Sequence, residues 1–163
     1  MKFLVDQMLG TLAKWLRLCG IDTFYANQEI SDDELLEIAE KEHRILITRD
    51  KELFQRTQKK HIESMFTDAI DLSEQINLMF NSFPEALKQI TPLSRCSLCN
   101  HKVTEISKEN IKENVPERIF HEHDQFWKCS HCHQIYWKGS HYEKILTKIN
   151  EIKKNQEKNL HKN

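Results

Sequence analysis

Lys2-Phe3-Leu4-Val5-Asp6, followed by Leu9, Leu12, Ala13 and Leu16 at helical spacing and then by Thr23-Phe24-Tyr25-Ala26, reads as strand, helix and strand. Lys14 and Arg17 fall on the other side of that helix. Gly20 stands where a helix closes most easily in the left-handed conformation. Outward from this unit the pattern repeats. Ser31-Asp32-Asp33-Glu34 has the form of a capping box, and Leu35, Leu36, Ile38 and Ala39 supply the apolar face of the helix it starts. Arg44-Ile45-Leu46-Ile47-Thr48 is a third strand, which delivers Asp50. A helix from Lys51 to about Gln58, a weaker strand from Ile62 to Phe66 and a helical stretch from about Asp71 to Asn81 complete the series. Strands alternating with helices of this length imply right-handed crossovers, hence an α/β fold with a parallel sheet covered by helices on both faces.

Pro84 and Pro92 punctuate the passage to a different kind of segment. Cys96-Ser97-Leu98-Cys99 and Cys129-Ser130-His131-Cys132 each have the Cys-x2-Cys spacing that lets two thiolates reach one metal ion from a tight turn. Together they offer four soft ligands for a tetrahedral structural zinc. The long interval between the pairs, residues 100–128, predicts a zinc ribbon with an elaborated middle. Two disulfides or two redox dithiols are the competing reading. A strand beginning directly after Met1, with no leader pattern, predicts a reducing cytoplasmic setting and favours zinc. The fifth cysteine, Cys19, has no partner at ligand spacing and reads as a small buried hydrophobe. The expected division is residues 1–91 for the α/β domain, 92–145 for the ribbon and 146–163 for a basic, flexible tail. Six lysines between Lys144 and Lys162 mark that tail.

In sheets of this kind functional groups collect beyond the carboxyl ends of the strands. Asp6 directly follows the first strand, Asp32 opens the helix after the second, Asp50 follows the third and Asp68 lies just past the fourth. Four carboxylates at one edge repel one another, and a divalent cation relieves that repulsion; hard oxygen ligands favour magnesium or manganese. Each acid also has a plainer reading. Asp32 and Asp33 suit the positive end of a helix dipole, Asp50 suits an N-cap and Asp68 a loop. Asp6, placed straight after a buried strand, is the hardest to explain without a partner.

The chain has 163 residues, 39% of them apolar and 30% charged, with a formal net charge of -1 and a mean hydropathy of -0.67. These values fit one compact domain with a small metal-held module. No apolar run approaches the roughly 20 residues of a membrane span, and bulk charge does not announce a nucleic-acid binder.

Phe3-Leu4-Val5-Asp6-x-Met8-Leu9-Gly10-x-Leu12-Ala13-x-Trp15-Leu16-Arg17-x-x-Gly20 resembles the opening of the Mut-seven C-terminal RNase domain family, a branch of the PIN-like nuclease fold. Asp32-x-x-Leu35-Leu36-x-x-Ala39 and Arg44-Ile45-Leu46-Ile47-Thr48-Arg49-Asp50 are similar to its next two blocks. Arg95-Cys96-x-x-Cys99-Asn100 and Tyr136-Trp137-Lys138-Gly139-Ser140-His141-Tyr142 are similar to its zinc-ribbon half. The resemblance spans about residues 2–145. It implies a PIN-like α/β/α sandwich followed by a zinc ribbon, and a metal-dependent ribonuclease acting on RNA. It places Asp6, Asp32 and Asp50 at the family's acidic positions, as ligands of magnesium or manganese, and Asp68 approximately at a fourth. Asp33 is the fallback for Asp32.

Ribbon knuckles often place glycine after the second cysteine; Asn100 and His133 stand there, both tolerant of left-handed backbone. Candidate RNA contacts are Lys14, Arg17, Arg49, Trp137, Lys138 and His141. Lys14 and Arg17 equally fit a solvated helix face, and Arg49 a local ion pair. Trp127 and Tyr136 read as the core of the small module. The rival reading of the whole is a non-catalytic RNA-binding or ribosome-associated protein with a vestigial acidic site.

Overall fold

The computed structural model describes residues 1–27 and 29–160, the last two by their backbone alone. The first half alternates β1 (Phe3–Val5), α1 (Gly10–Leu18), β2 (Thr23–Tyr25), α2 (Asp32–Glu42), β3 (Ile45–Thr48), α3 (Lys51–Lys59), β4 (Ser64–Phe66) and α4 (Leu72–Ser82). All four strands are parallel, in the order β2-β1-β3-β4. β1 and β3 are buried along their whole length, because both sheet faces are covered. Phe3, Val5, Ile45 and Ile47 pack against Leu12 and Leu16 of α1 and Met79 and Phe80 of α4. Leu4 and Leu46 point the other way, onto Leu35, Leu36 and Ala39 of α2 and Leu53 of α3. The result is the three-layer α/β/α arrangement expected.

The capping box forms as read: the Ser31 hydroxyl accepts from the Glu34 amide while the Glu34 carboxylate accepts from the Ser31 amide. From β1 the chain steps to β2 on one side, then crosses back over β1 to β3 on the other. The direction therefore reverses between β1 and β3, and the crevice beyond their carboxyl ends is the topological switch point of the sheet.

The ribbon is a three-stranded antiparallel sheet of β5 (Val103–Ile106), β6 (Phe126–Cys129) and β7 (Ile135–Trp137), in that order. Its elaborated middle holds a 3-10 turn at Lys108–Ile111 and the short helix α5 (Glu117–Glu122). Ile111, Phe126 and Ile135 give it a small core of its own. Asn100 and His133 take left-handed φ values of 65° and 63°, as the knuckle turns require.

One expectation is corrected. Residues 146–160 belong to a 21-residue helix, α6 (Ser140–Leu160), which returns to the α/β domain instead of trailing as a flexible tail. Ile145, Ile149 and Ile152 are buried in the same core as α1 and α4. The Gln156 amide donates to the Phe80 carbonyl at 2.7 Å. The spacing of the three isoleucines forms a single apolar stripe, and the lysines that dominated the sequence reading lie around it. Residues 161–163 of the expected tail lie outside the described residues. Among the described residues no helix is long and apolar enough to cross a membrane.

Candidate active-site cleft and cysteine cage

Asp6, Asp32 and Asp50 line one small cleft at the switch point, together with Gln7, Asn27 and the apolar side chains of α2 and α3. Its free volume is about 50 Å³, room for an ion with a few waters. Among the described residues no lysine or arginine is part of the lining, although the Arg56 guanidinium reaches Asp32 from beside it.

Asp6 is 4% exposed and held by three donors. Its Oδ1 accepts from the Met8 amide at 2.9 Å, and its Oδ2 accepts from the Arg49 amide at 2.9 Å and from the Thr48 hydroxyl. Thr48 also accepts from the Asp50 amide at 2.9 Å, so one buried hydroxyl ties the acid after β1 to the acid after β3. Asp50 caps α3: its Oδ1 accepts from the amides of Glu52 at 2.7 Å and Leu53 at 3.0 Å. Asp32 sits in the first turn of α2 and pairs with Arg56 of α3 at 3.3 Å, while Asp33 pairs with the same guanidinium from outside the cleft.

The three carboxylates share the cleft without being drawn together. Among the described residues, the only group of such ligands with all its atoms within 4.8 Å of one another is the four cysteines. Magnesium dehydrates reluctantly and is usually held through one or two carboxylates, its other positions filled by water and substrate phosphate. Three acidic side chains with no cation in the lining, all offering hard oxygens, therefore fit a hydrated divalent ion.

Other sequence candidates fall elsewhere. Asp68 is exposed and does not line the cleft; its carbonyl accepts from the Arg49 guanidinium at 3.4 Å. The β4 strand ends one position away from the crevice, so the acid after it misses the switch point. Lys14 is exposed, but Arg17 is buried, so the two form no phosphate track. Arg49 is half-buried, and its Nε has no hydrogen-bond partner. Trp137 and His141 line a separate cleft with Leu18. Leu18 ends α1 at the opposite edge of the sheet from Asp6, about 13 Å along the helix axis. Lys138 donates to Gln125 at 3.1 Å and lies over the Trp127 ring. Thr48 and Arg56 escaped the sequence reading. Thr48 carried a weak signal, a hydroxyl ending the strand that delivers Asp50. Arg56 carried none, because its partners are on another helix.

The four thiols form the second centre. All five cysteines are free of disulfides, and the closest cage pairs, Cys96–Cys132 and Cys99–Cys129, are 3.4 Å apart. A zinc tetrahedron with Zn–S bonds of about 2.3 Å spaces its sulfurs about 3.8 Å apart, whereas a disulfide requires about 2 Å. The cage is of the right size for zinc. The Tyr136 hydroxyl accepts from the Ser97 amide at 3.0 Å and is left to donate to the Cys96 sulfur at 3.0 Å. Burial alone would raise the Cys96 pKa. The Tyr136 hydroxyl and the amides of Cys99 and Leu98 outweigh it and bring the thiol down to about 6. Cys132 is pushed up to about 12, first by burial and then by the neighbouring sulfurs. Cys96 thus ionises readily while Cys99 and Cys132 resist, a conflict that a bound cation resolves.

The cage is fastened to the α/β domain. The Arg17 guanidinium donates to the carbonyls of Leu98 at 2.8 Å and Ser97 at 3.2 Å, inside the first knuckle, and to Thr23 at 2.8 Å. Asn100 accepts from the Thr23 amide at 3.1 Å and donates to Asp22 at 2.9 Å. β2 is the edge strand, and this knuckle covers the start of its open side.

Comparison with known proteins agrees with this architecture over nearly its whole length. The family model of the Mut7-C RNAse domain matches residues 1–149. No curated protein and no solved structure matched the chain. An α/β sheet with acids at its switch point, a four-cysteine cage and a match of that extent lead to one conclusion: the chain belongs to the Mut7-C RNAse domain family.

Proposed function

We propose that the chain is a magnesium- or manganese-dependent ribonuclease acting on RNA, with a structural zinc in its ribbon. The observation that carries this reading is that Asp6, Asp32 and Asp50 line one cleft in a chain of an RNase domain family.

A divalent ion held there lowers the pKa of a coordinated water and offsets the charge that grows on the attacked phosphate. The chain's own residues prepare that site. Thr48 and the Met8 and Arg49 amides fix the Asp6 carboxylate. The amides at the start of α3 occupy Oδ1 of Asp50 and leave Oδ2 free of backbone bonds. Asp32 would hold the ion in place of its Arg56 partner, and Arg56, which Asp33 also holds, would stand beside the cleft as a phosphate contact. Arg49 buries its Nε, so only its terminal nitrogens, one of them 3.4 Å from the Asp68 carbonyl, are left to meet a phosphate. Zinc in the cysteine cage holds the ribbon against β2 and takes no part in cleavage.

The second reading, a non-catalytic RNA-binding protein, draws on the same geometry: Asp50 caps a helix and Asp32 is ion-paired. The two separate when metal-stripped protein is given single-stranded and structured RNA with and without restored magnesium or manganese. Cleavage that appears only with the metal supports the ribonuclease. Binding without cleavage under every metal supports the alternative.

A further inference from the structure

Docking of the first knuckle beside β2 creates a groove of about 490 Å³ that no sequence motif announced. Its walls include Phe24 and Tyr25 of β2, and Arg95, Asn100, His101 and Lys102 of the knuckle. Three cations (Arg17, Arg95 and Lys102) belong to the lining and no carboxylate does, in a chain whose net charge is near zero. Arg17 is turned inward and offsets the thiolates of the cage. Arg95 shares Asp22 with Arg44. Lys102 and His101 are the exposed polar members. The His101 ring stacks on the exposed His131 ring at 4.1 Å and 11°, which presents a flat aromatic surface at the end of the groove.

The groove follows the edge strand from the knuckle at its amino end to Tyr25 at its carboxyl end. There it meets the acidic cleft. The Tyr25 hydroxyl donates to the Gln7 carbonyl at 2.9 Å, and Gln7 and Ala26 are both cleft-lining residues. A path with half-buried aromatic rings on either side of the edge strand, a histidine pair and one exposed lysine, ending beside an acidic site, has the chemistry of a single-stranded nucleic acid track. Rings stack on unpaired bases whatever their identity, and cations follow the phosphates. A duplex, with its bases already stacked inside, cannot use the rings.

We infer that this groove between β2 and the first knuckle guides single-stranded RNA to the Asp6–Asp32–Asp50 cleft. The inference rests on the ribonuclease reading for the identity of its polyanion, and its test is separable from that reading. Zinc-loaded full chain carrying Asp6→Asn is mixed with a single-stranded RNA oligonucleotide, crosslinked with ultraviolet light and mapped by mass spectrometry. Binding is titrated in parallel for Asp6→Asn alone and combined with Lys102→Glu, Lys102→Arg or Phe24→Leu; the wild-type chain is assayed for cleavage.

The expected crosslinks fall on Phe24, Tyr25 or His101. Lys102→Glu weakens binding about fivefold at 0.1 M salt and lowers the slope of log K against log salt by about 0.7. Lys102→Arg retains the affinity, Phe24→Leu loses about fivefold or more, and duplex RNA of equal length binds less tightly. Crosslinks confined to the Trp137–Tyr142 segment, unchanged affinity in Lys102→Glu, or no RNA binding at all would overturn the track. Crosslinks in the groove without cleavage by the wild type support the track and remove the ribonuclease reading. Wild-type cleavage with no groove crosslinks does the reverse.

Discussion

The Arg17 guanidinium donates to the Leu98 carbonyl at 2.8 Å across 81 residues of sequence, joining the first helix of the α/β domain to the turn that carries the first cysteine pair. With its bonds to Ser97 and Thr23 it serves three carbonyls from a buried position. A lysine offers a point charge and cannot reach all three. Arg17→Lys and Arg17→Met should therefore both lower unfolding free energy, by about 2–4 kcal/mol through unsatisfied carbonyls. Denaturant unfolding of the zinc-loaded protein measures this. Values equal to wild type would show that the clamp is incidental.

Gly20 tests the same junction through the backbone. Its φ is +86°, and a Cβ there would run into the Thr91 carbonyl oxygen and the Ser94 hydroxyl. Gly20→Ala should cost about 2 kcal/mol or more by combining left-handed strain with that collision. A thermal midpoint within about 1 °C of wild type would contradict this close approach.

Asp22 makes the junction pH-dependent. Burial alone would raise its pKa; hydrogen bonds from Arg44 and Asn100 and the charges of Arg44 and Arg95 outweigh it and hold the carboxyl below its ordinary value. A depressed folded-state pKa stabilises the protein above the unfolded value of about 4. That contribution is lost as pH falls through the lower folded value. The stability gap between wild type and Asp22→Asn should be full at pH 7 and shrink below about pH 4. A gap that does not change with pH contradicts the charge network.

Zinc loading should displace protons in a countable way. Cys99 and Cys132 are both raised from their ordinary values, by burial first, so each carries a proton in the metal-free cage near neutral pH. Titrating zinc into stripped protein at pH 7 should release at least two protons per ion, read calorimetrically in buffers of different ionisation enthalpy. Cys129→Ser should lose the zinc. Because the cage anchors β2 through Leu98 and Asn100, its loss should also lower the thermal midpoint of the α/β core.

The α/β half was legible because its strands and helices differ in period. Phe3-Leu4-Val5 and Ile45-Leu46-Ile47 are short apolar runs, Leu12, Ala13 and Leu16 keep helical spacing, and Ser31 with Glu34 marks a helix start by its own chemistry. Parallel pairing and the placement of Asp6 and Asp50 at one edge follow from that alternation. The cysteine spacing announced the cage. What stayed hidden is tertiary. Arg17 looks like a surface cation until the knuckle folds over it, and Arg56 meets Asp32 only when α2 and α3 pack side by side. Asp68 resembled a fourth site acid by sequence position alone. The stripe of Ile145, Ile149 and Ile152 was present in the sequence but masked by the lysines around it.

On the proposed function, Asp6 lies at a working, metal-dependent site. Its most direct test is the rate of RNA cleavage by Asp6→Asn and wild type in magnesium or manganese, with zinc content and thermal midpoint measured on the same samples. The variant should lose about a hundredfold or more in rate with zinc retained, and Asp68→Asn should lose far less. Equal rates for wild type and Asp6→Asn, or no cleavage by either with both metals supplied, would contradict it.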